Sequence, residues 1–309
     1  MRALRTAVVA GASGYIGRYL VEALHASGVG VRTIGRGASA DATWQDADRL
    51  ACAVDGADLL VNLAGRSVSC RYTKRTADAI FASRVETTAA LGRAVARAET
   101  PPLLWANAST GTIYRDARDR PMDEATGEIG SGFSVAVARA WEHELFAAPT
   151  DVRKVALRMS IVLGAGGGAI NPIINLARLG FGGRMGDGRQ VFSWVHVDDV
   201  VAAILHVYDR PEIAGPVNVA TPHPVTNAEL VREVRAALGR PWGVPTPAAV
   251  LEVGARVIRT EPELVLKSRW VHPGVLLGSG FAWEHPRLPE ALSQIADHTR
   301  RGLLPVALG

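Results

Sequence analysis

The sequence of 309 residues predicts an α/β protein with a doubly wound parallel sheet and a smaller, mostly helical C-terminal domain. Three observations lead to this prediction. Short apolar runs alternate with helix-like segments through the first two thirds of the chain, the first run enters a glycine-rich turn, and proline becomes frequent after residue 240. Alternation of this kind is typical of βαβ units with parallel strands.

The apolar runs that we predict as strands cover residues 6–10, 31–34, 59–63, 103–108, 155–157 and 217–219. The predicted helices cover residues 18–26, 77–98, 133–147 and 199–208, and a further helix ends at residue 238. Gly28 is placed to end the first helix, and Thr226 with Glu229 has the spacing of a capping box for the last one.

The first strand continues into a glycine-rich turn, and residues 8–17 read VVAGASGYIG. In a GxxGxxG turn between a strand and a helix, Gly11 permits the tight bend, Gly14 lets the backbone approach a pyrophosphate, and Gly17 allows the helix to pack closely. The N–H groups at the start of the helix then face the anion. The sequence therefore predicts a Rossmann-type dinucleotide site, which also includes Ser13, Tyr15 and Ile16.

The same reasoning divides the chain into three parts. Residues 1–165, completed by residues 191–220, form the predicted NADP-binding Rossmann domain. Residues 166–190 are rich in glycine and are interpreted as a lid or substrate loop, with a flexible surface excursion as the alternative. Residues 221–309 form the predicted C-terminal domain.

Composition narrows the function classes. Hydrophobic residues make up 48% and charged residues 21%, as in globular enzymes, and the net charge of +4 comes from scattered basic residues, which argues against nucleic-acid binding. No apolar stretch approaches the roughly 20 residues needed to span a bilayer, and the start has no signal-peptide pattern, so we expect a cytoplasmic protein. Cys52 and Cys70 lack metal-binding or redox spacing and are expected to be free thiols.

The end of the second strand bears on the choice of cofactor. An acidic residue there accepts hydrogen bonds from the ribose of NAD, but residues 35–37 read Gly-Arg-Gly. No carboxylate appears until Asp41, and Arg36 offers planar donors to a 2′-phosphate. We therefore expect NADP rather than NAD, the alternative for Arg36 being a solvated loop residue. Trp44 is interpreted as an adenine neighbour or as an ordinary hydrophobic anchor.

Longer motifs resemble a known family. GASGYIG, NLAG at residues 62–65, SRVETTAAL at 83–91, and the segments 182–204 and 218–230 resemble the extended short-chain dehydrogenases/reductases, and among them an atypical epimerase-like family. Residues 266–288 resemble that family's C-terminal domain of unassigned role. Arg66 and Ser160 depart from the pattern, which usually has Glu and Gly there. Ligands bind beyond the carboxyl ends of parallel strands, which adds to the predicted cofactor site Leu63, Ala64, Gly65, Ser109 and Ser160.

The resemblance implies a catalytic Tyr with a Lys four residues later, and this chain has no such pair. Ser134 and Ala138 align with the expected positions. The remaining catalytic candidates are Ser109, Thr110 and Tyr114, with strand-end capping as the alternative for the two hydroxyl residues. Tyr114, without a cation to lower its pKa, would be a weak acid–base group.

Several other polar residues receive structural interpretations. Glu142 is expected to form a structural pair and His196 to have a structural role, while Asp198 or Asp199 caps the following helix. The segment after NLAG contains Arg71, Tyr72 and Arg84, which are suited to bind an anionic ligand. The alternative is that these residues form a solvated face. No HExxH or His-Cys cluster appears, so no protein-bound metal is expected.

Two functions fit these observations. The first is an NADP-dependent oxidoreductase or epimerase-like enzyme that acts on a small carbonyl or hydroxyl substrate. The second is a non-catalytic NADP-binding protein that senses redox state or binds a partner, because a fold alone does not settle function.

Overall fold

The computed structural model describes residues 3–68, 70, 72–245, 267–299, 302 and 304. The strands are β1 Thr6–Ala10, β2 Gly30–Gly35, β3 Ala42–Thr43, β4 Leu59–Asn62, β5 Leu104–Thr110, β6 Arg153–Met159, β7 Ile161–Leu163, β8 Val191–Phe192, β9 Trp194–His196, β10 Gly215–Val219 and β11 Val225–Thr226. The α-helices are α1 Tyr15–Ala26, α2 Ala47–Val54, α3 Lys74–Arg97, α4 Phe133–Ala147, α5 Ile170–Arg178, α6 Val197–Asp209, α7 Asn227–Ala237, α8 Gly274–Gly278 and α9 Leu288–Asp297.

The main sheet has seven parallel strands in the order β10-β6-β5-β4-β1-β2-β3. Helices α1 and α6 pack on one face in a core cluster with residues of β1, β4, β5, β6 and β10. Helices α2 and α3 and the end of α4 pack on the other face. The central strands are buried on both faces, as is expected when helices cover both sides of a parallel sheet. The predicted α/β Rossmann architecture is confirmed.

Local signals set several helix ends. Gly28 follows α1 with a φ of 72°, and Thr226 and Glu229 form the expected capping box of α7. The start of α6 differs from the expectation: its N-cap is His196, whose ring accepts the Asp198 N–H, while Asp199 accepts the N–H groups of Glu284 and His285. Neither aspartate is the cap because both already lie within the first turn of the helix.

The glycine-rich segment 166–190 contains helix α5, which the sequence analysis did not identify. Ile170 and Ile174 of this helix are buried against residues of α7 and α9, in a third core cluster that also includes Trp194. Its ends retain the irregular backbone that glycine permits. No helix among the described residues has the length and apolar character needed to cross a membrane.

Candidate functional site

A cleft of about 390 Å³ lies beyond the carboxyl ends of the central strands, between the glycine turn and helix α4. This is the position at which doubly wound sheets bind their ligands. The predicted residues that line it are Gly11, Gly14, Tyr15, Ile16, Gly17, Leu63, Gly65, Ser109 and Thr110. The structure therefore brings most of the predicted cofactor residues to one surface.

Four predicted cofactor residues lie outside the lining. Ala64 is buried and its N–H donates to Asn62 Oδ1, while Ser160 Oγ donates to the carbonyl of Val219. Ser13 is exposed in the glycine turn, and Arg36 is exposed just beyond β2. Arg36 follows β2 outside the cleft, so it can meet only the part of an extended dinucleotide that lies away from the cleft. Arg36 therefore remains a cofactor candidate.

The glycine turn is built to approach a ligand closely. Gly11 has a φ of 80°, and a Cβ there would lie 2.8 Å from the carbonyl carbon of Leu63. A Cβ on Gly17 would lie 2.3 Å from the carbonyl oxygen of Gly11. Helix α1 begins after Gly14 with no side chain capping its first turn, which leaves its N–H groups for an outside acceptor. These features fit a bound pyrophosphate.

Tyr15 fills the space between this turn and the glycine-rich segment. A Cβ on Gly164 would lie 2.3 Å from the Tyr15 hydroxyl oxygen, and a Cβ on Gly167 would lie 2.7 Å from the ring. A Cβ on Gly168 would come within 3.1 Å of the same ring. The glycine-rich segment therefore packs directly against the residue that follows Gly14.

A buried polar network holds the turn after β4. Asn62 Oδ1 accepts the Ala64 N–H, and Asn62 Nδ2 donates to Asn107 Oδ1 at 2.7 Å and to Thr88 Oγ1 at 3.2 Å. The indole N–H of Trp141 donates to the same Thr88 oxygen. The Asn of NLAG and the second Thr of SRVETT are therefore hydrogen-bonded partners, a contact that sequence reasoning had not predicted.

The predicted hydroxyl residues differ in their contacts. Ser109 Oγ donates to Glu142 Oε1 at 2.6 Å, so its hydrogen is directed away from the cleft. Thr110 Oγ1 accepts the Thr112 N–H, as the capping alternative expected, and lies 3.0 Å from Thr112 Oγ1. Two hydroxyls that share one hydrogen bond retain one hydrogen for another acceptor. Thr112 also lines the cleft and had been missed, because its 3₁₀ turn has no strong sequence signal.

Tyr114 does not line this cleft. Its side chain is buried, its hydroxyl donates to Asn218 Oδ1 at 2.9 Å, and the Arg158 guanidinium donates to that hydroxyl at 2.9 Å. The expectation that no cation lies near Tyr114 is therefore wrong. Burial nevertheless raises the pKa of Tyr114, against the opposing effect of Arg158. The side chain of Tyr114 is buried outside this cleft, and its catalytic role stays a prediction.

Comparisons with known proteins assign the chain to a family. Residues 7–220 match the model of the NAD dependent epimerase/dehydratase family. The chain belongs to this family. Residues 246–295 also match a domain of unknown function, DUF1731. The chain is 32% identical over 293 residues to the cattle epimerase family protein SDR39U1, which covers 93% of this chain and 98% of the relative.

A solved structure and a second relative agree with the assignment to the epimerase/dehydratase family. The crystal structure of human SDR39U1 with NADPH has a TM-score of 0.86 and 32% identity, covering 94% of this chain and 99% of that one. A Mycobacterium tuberculosis epimerase family protein, MT2273, is 33% identical over 92% of this chain and 95% of its own. The fold is thus an NAD(P)-binding Rossmann fold of the short-chain dehydrogenase/reductase type.

In this member of the epimerase/dehydratase family, helix α4 presents an apolar face to the cleft. Phe133, Val137 and Trp141 line it together with Ser134. Ala138, aligned with the expected Lys, lies instead in a buried cluster with Ile113. No His, Asp, Glu, Lys or Cys occurs among the described residues that line the cleft. Acid–base chemistry there has to use hydroxyl groups or water.

A second polar cluster lies at the start of α6. Donor atoms of His196, Asp198 and His285 lie within 4.8 Å of one another, a grouping that could ligate a metal. His196 Nδ1, however, accepts the Asp198 N–H, and its Nε2 lies 3.1 Å from Gln294 Oε1. The positive end of a helix also disfavours a cation. The cluster is explained as a helix cap, in line with the structural role expected for His196, and the expected absence of a metal stays a prediction.

Proposed function

We propose that this chain binds NADPH in preference to NADH and acts as an oxidoreductase on a small carbonyl or hydroxyl compound. One observation carries the cofactor preference. Asp41, the first carboxylate after β2, accepts the N–H and the hydroxyl of Thr33 at 2.7 and 2.9 Å. These hydrogen bonds, with the backbone contact as the largest cause, lower the pKa of Asp41. Asp41 thus stabilises the edge of the sheet, and the exposed Arg36 remains to meet a 2′-phosphate.

The residues of the cleft suit the rest of the cofactor and a substrate. The glycine turn would hold the pyrophosphate, and Leu63 and Gly65 would border the remainder of the dinucleotide. A bound nicotinamide supplies or accepts a hydride at the substrate carbon. The free hydrogen of the Thr110 and Thr112 pair would bind the substrate oxygen, and the proton would be exchanged with water, since the described lining offers no His, Asp, Glu, Lys or Cys.

Fluorescence titration of the purified protein with NADPH and NADH tests the cofactor preference. We expect NADPH to bind more tightly, and Arg36→Asp to weaken NADPH while sparing NADH. Arg93→Asp, at an exposed position of α3 outside the cleft lining, is the matched control. Equal losses for both cofactors in Arg36→Asp would refute the 2′-phosphate role.

A non-catalytic cofactor-binding protein is the second candidate, and the absence of His, Asp, Glu, Lys and Cys from the described lining favours it. The two functions separate in one assay. An oxidoreductase oxidises NADPH when a carbonyl compound is added, which is measured as a fall in absorbance at 340 nm. A non-catalytic protein binds NADPH without consuming it across a panel of aldehydes, ketones and 2-oxo acids.

A further inference from the structure

The cleft contains a guanidinium group for which the cofactor site gives no evident use. Arg84 lies on α3, and its side chain lines the cleft beside Gly65. Its Nη1 donates to the carbonyl oxygens of Arg66 and Ile80, both at 3.1 Å, and its guanidinium lies over the ring of Trp141 at 5.0 Å. These contacts fix the orientation of the group, while its Nε and Nη2 donate to no described residue.

Arg84 has no acidic partner among the residues that the structure describes. Burial lowers the pKa of Arg84 to about 10, so it remains protonated at neutral pH. Removing a charge from water is unfavourable unless an opposite charge compensates. Arg84 is half-buried, and two backbone carbonyls and an aromatic ring compensate its charge only in part, so a bound anion would stabilise it further.

The surroundings of Arg84 also lack negative charge. The described lining of the cleft includes the cations Arg66 and Arg84 but no Asp or Glu. Next to them is an apolar wall, where the rings of Tyr72 and Phe133 lie 4.8 Å apart and Val137 continues the surface. An anionic group joined to an apolar body would match both parts of this region.

We propose that Arg84 is the carboxylate-binding residue of the cleft, and that the substrates are carbonyl or hydroxyl acids with an apolar body. The planar guanidinium fork matches the two oxygens of a carboxylate. The pyrophosphate of the cofactor already has the N–H groups at the start of α1, whereas Arg84 reaches the cleft from α3 beside the apolar wall. This proposal rests on the proposed function in taking the same cleft as the substrate site.

Phenylpyruvate and phenylacetone form a matched pair of probes. They share a benzyl group and a ketone, and differ in whether the ketone carries a carboxylate or a methyl group. Their binding is measured by calorimetry with the full-length protein, both free and saturated with NADP⁺. The variants are Arg84→Met and Arg84→Lys, with Arg93→Met as a control on the same helix.

The wild-type protein and Arg93→Met should bind phenylpyruvate more tightly than phenylacetone. Arg84→Met should weaken phenylpyruvate by roughly 10- to 100-fold, the value of one charge-assisted hydrogen-bonded contact, and leave phenylacetone unchanged. Arg84→Lys keeps the positive charge but not the planar fork, so its affinity for phenylpyruvate should lie between those of the wild type and Arg84→Met. Circular dichroism and the thermal midpoint verify that each variant is folded.

Three outcomes would overturn the carboxylate site: no preference for phenylpyruvate in the wild type, an unchanged preference in Arg84→Met, or a loss of NADPH affinity in that variant with carboxylate binding intact. The last outcome would assign Arg84 to the cofactor. Failure of the proposed function would appear separately, as a wild-type protein that does not bind NADPH. In that case phenylpyruvate binding to the cofactor-free protein still tests the carboxylate site.

Discussion

The carboxylate of Glu142 accepts two hydrogen bonds from the guanidinium of Arg158, from Nε at 2.8 Å and from Nη2 at 2.7 Å. Both side chains are about nine-tenths buried. Burial lowers the pKa of Arg158, but the hydrogen bonds and charge of Glu142 outweigh that effect and raise it. The pair joins helix α4 to strand β6, and through Ser109 and Tyr114 it also reaches β5 and the turn that follows.

Breaking this ion pair should destabilise the protein strongly. Arg158→Met is expected to lower the free energy of unfolding by about 3–5 kcal/mol, because Glu142 is left buried without its counter-ion. The double variant Glu142→Leu/Arg158→Met should lose less than the sum of the two single variants. Urea unfolding measures all three. Strictly additive losses would show that the two residues are not coupled.

The two threonines of the cleft should share one task. Thr110→Val and Thr112→Val each leave one hydroxyl, whereas the double variant leaves none to bind the substrate oxygen. We expect the double variant to lower kcat by about 10²-fold, the effect of removing an oxygen-binding donor, with a smaller loss in each single variant. NADPH oxidation at 340 nm measures kcat, and the NADPH affinity should not change. Full activity in the double variant would exclude this role.

The packing of the glycine turn predicts a sharp difference between two Gly→Ala changes. In Gly17→Ala the new methyl group meets the Gly11 carbonyl oxygen, so the turn has to move and NADPH binding should weaken by at least tenfold. Gly278→Ala, in helix α8, meets no atom within 4 Å and should change stability by less than about 1 kcal/mol. Fluorescence titration and thermal unfolding separate these effects. Normal NADPH affinity in Gly17→Ala would contradict the assignment of the turn.

Glu124 should make the stability of the protein pH-dependent. Its Oε1 accepts the N–H of Asn218 at 2.7 Å, but burial is the largest effect and raises its pKa. The folded state therefore binds the proton more tightly than the unfolded state does. This contribution to stability is present below the unfolded pKa, which is close to 4.5, and is lost over the range from that value up to the higher folded pKa.

Glu124→Gln removes the ionisation. The wild type should lose stability relative to this variant as the pH rises through that range, and the difference should be constant above it. Denaturant unfolding at a series of pH values measures the difference. Parallel stability curves for the two proteins would show that Glu124 does not titrate in this way.

The features that could be predicted from the sequence are those that depend on residues close to one another in the chain. The capping box of Thr226 and Glu229 is an interaction over three positions, and the glycine turn is a contiguous motif, so both could be identified without a structure. The position of the cleft followed as well, because parallel strands all end at the same edge. The short strand β3 and helix α2 were missed, since neither has a long periodic pattern.

Residues whose role depends on distant partners could not be predicted in the same way. Arg158 lies within β6 and meets Glu142, which is 16 positions away, and Tyr114, which is 44 positions away. Nothing local to residue 158 indicates either contact. Likewise, Ser109 was predicted at the site from its strand end, but only the structure shows that its hydrogen is donated to Glu142.

The contact between Tyr15 and Gly167 has a consequence for how this chain can change during evolution. Gly167 does not have a positive φ, and the nearest atoms to a Cβ at that position all belong to the Tyr15 ring. Glycine is thus required there by a neighbour 152 positions earlier in the sequence rather than by its own backbone. The two positions should covary: a smaller residue at position 15 would permit side chains at 167, and a Tyr at 15 would exclude them.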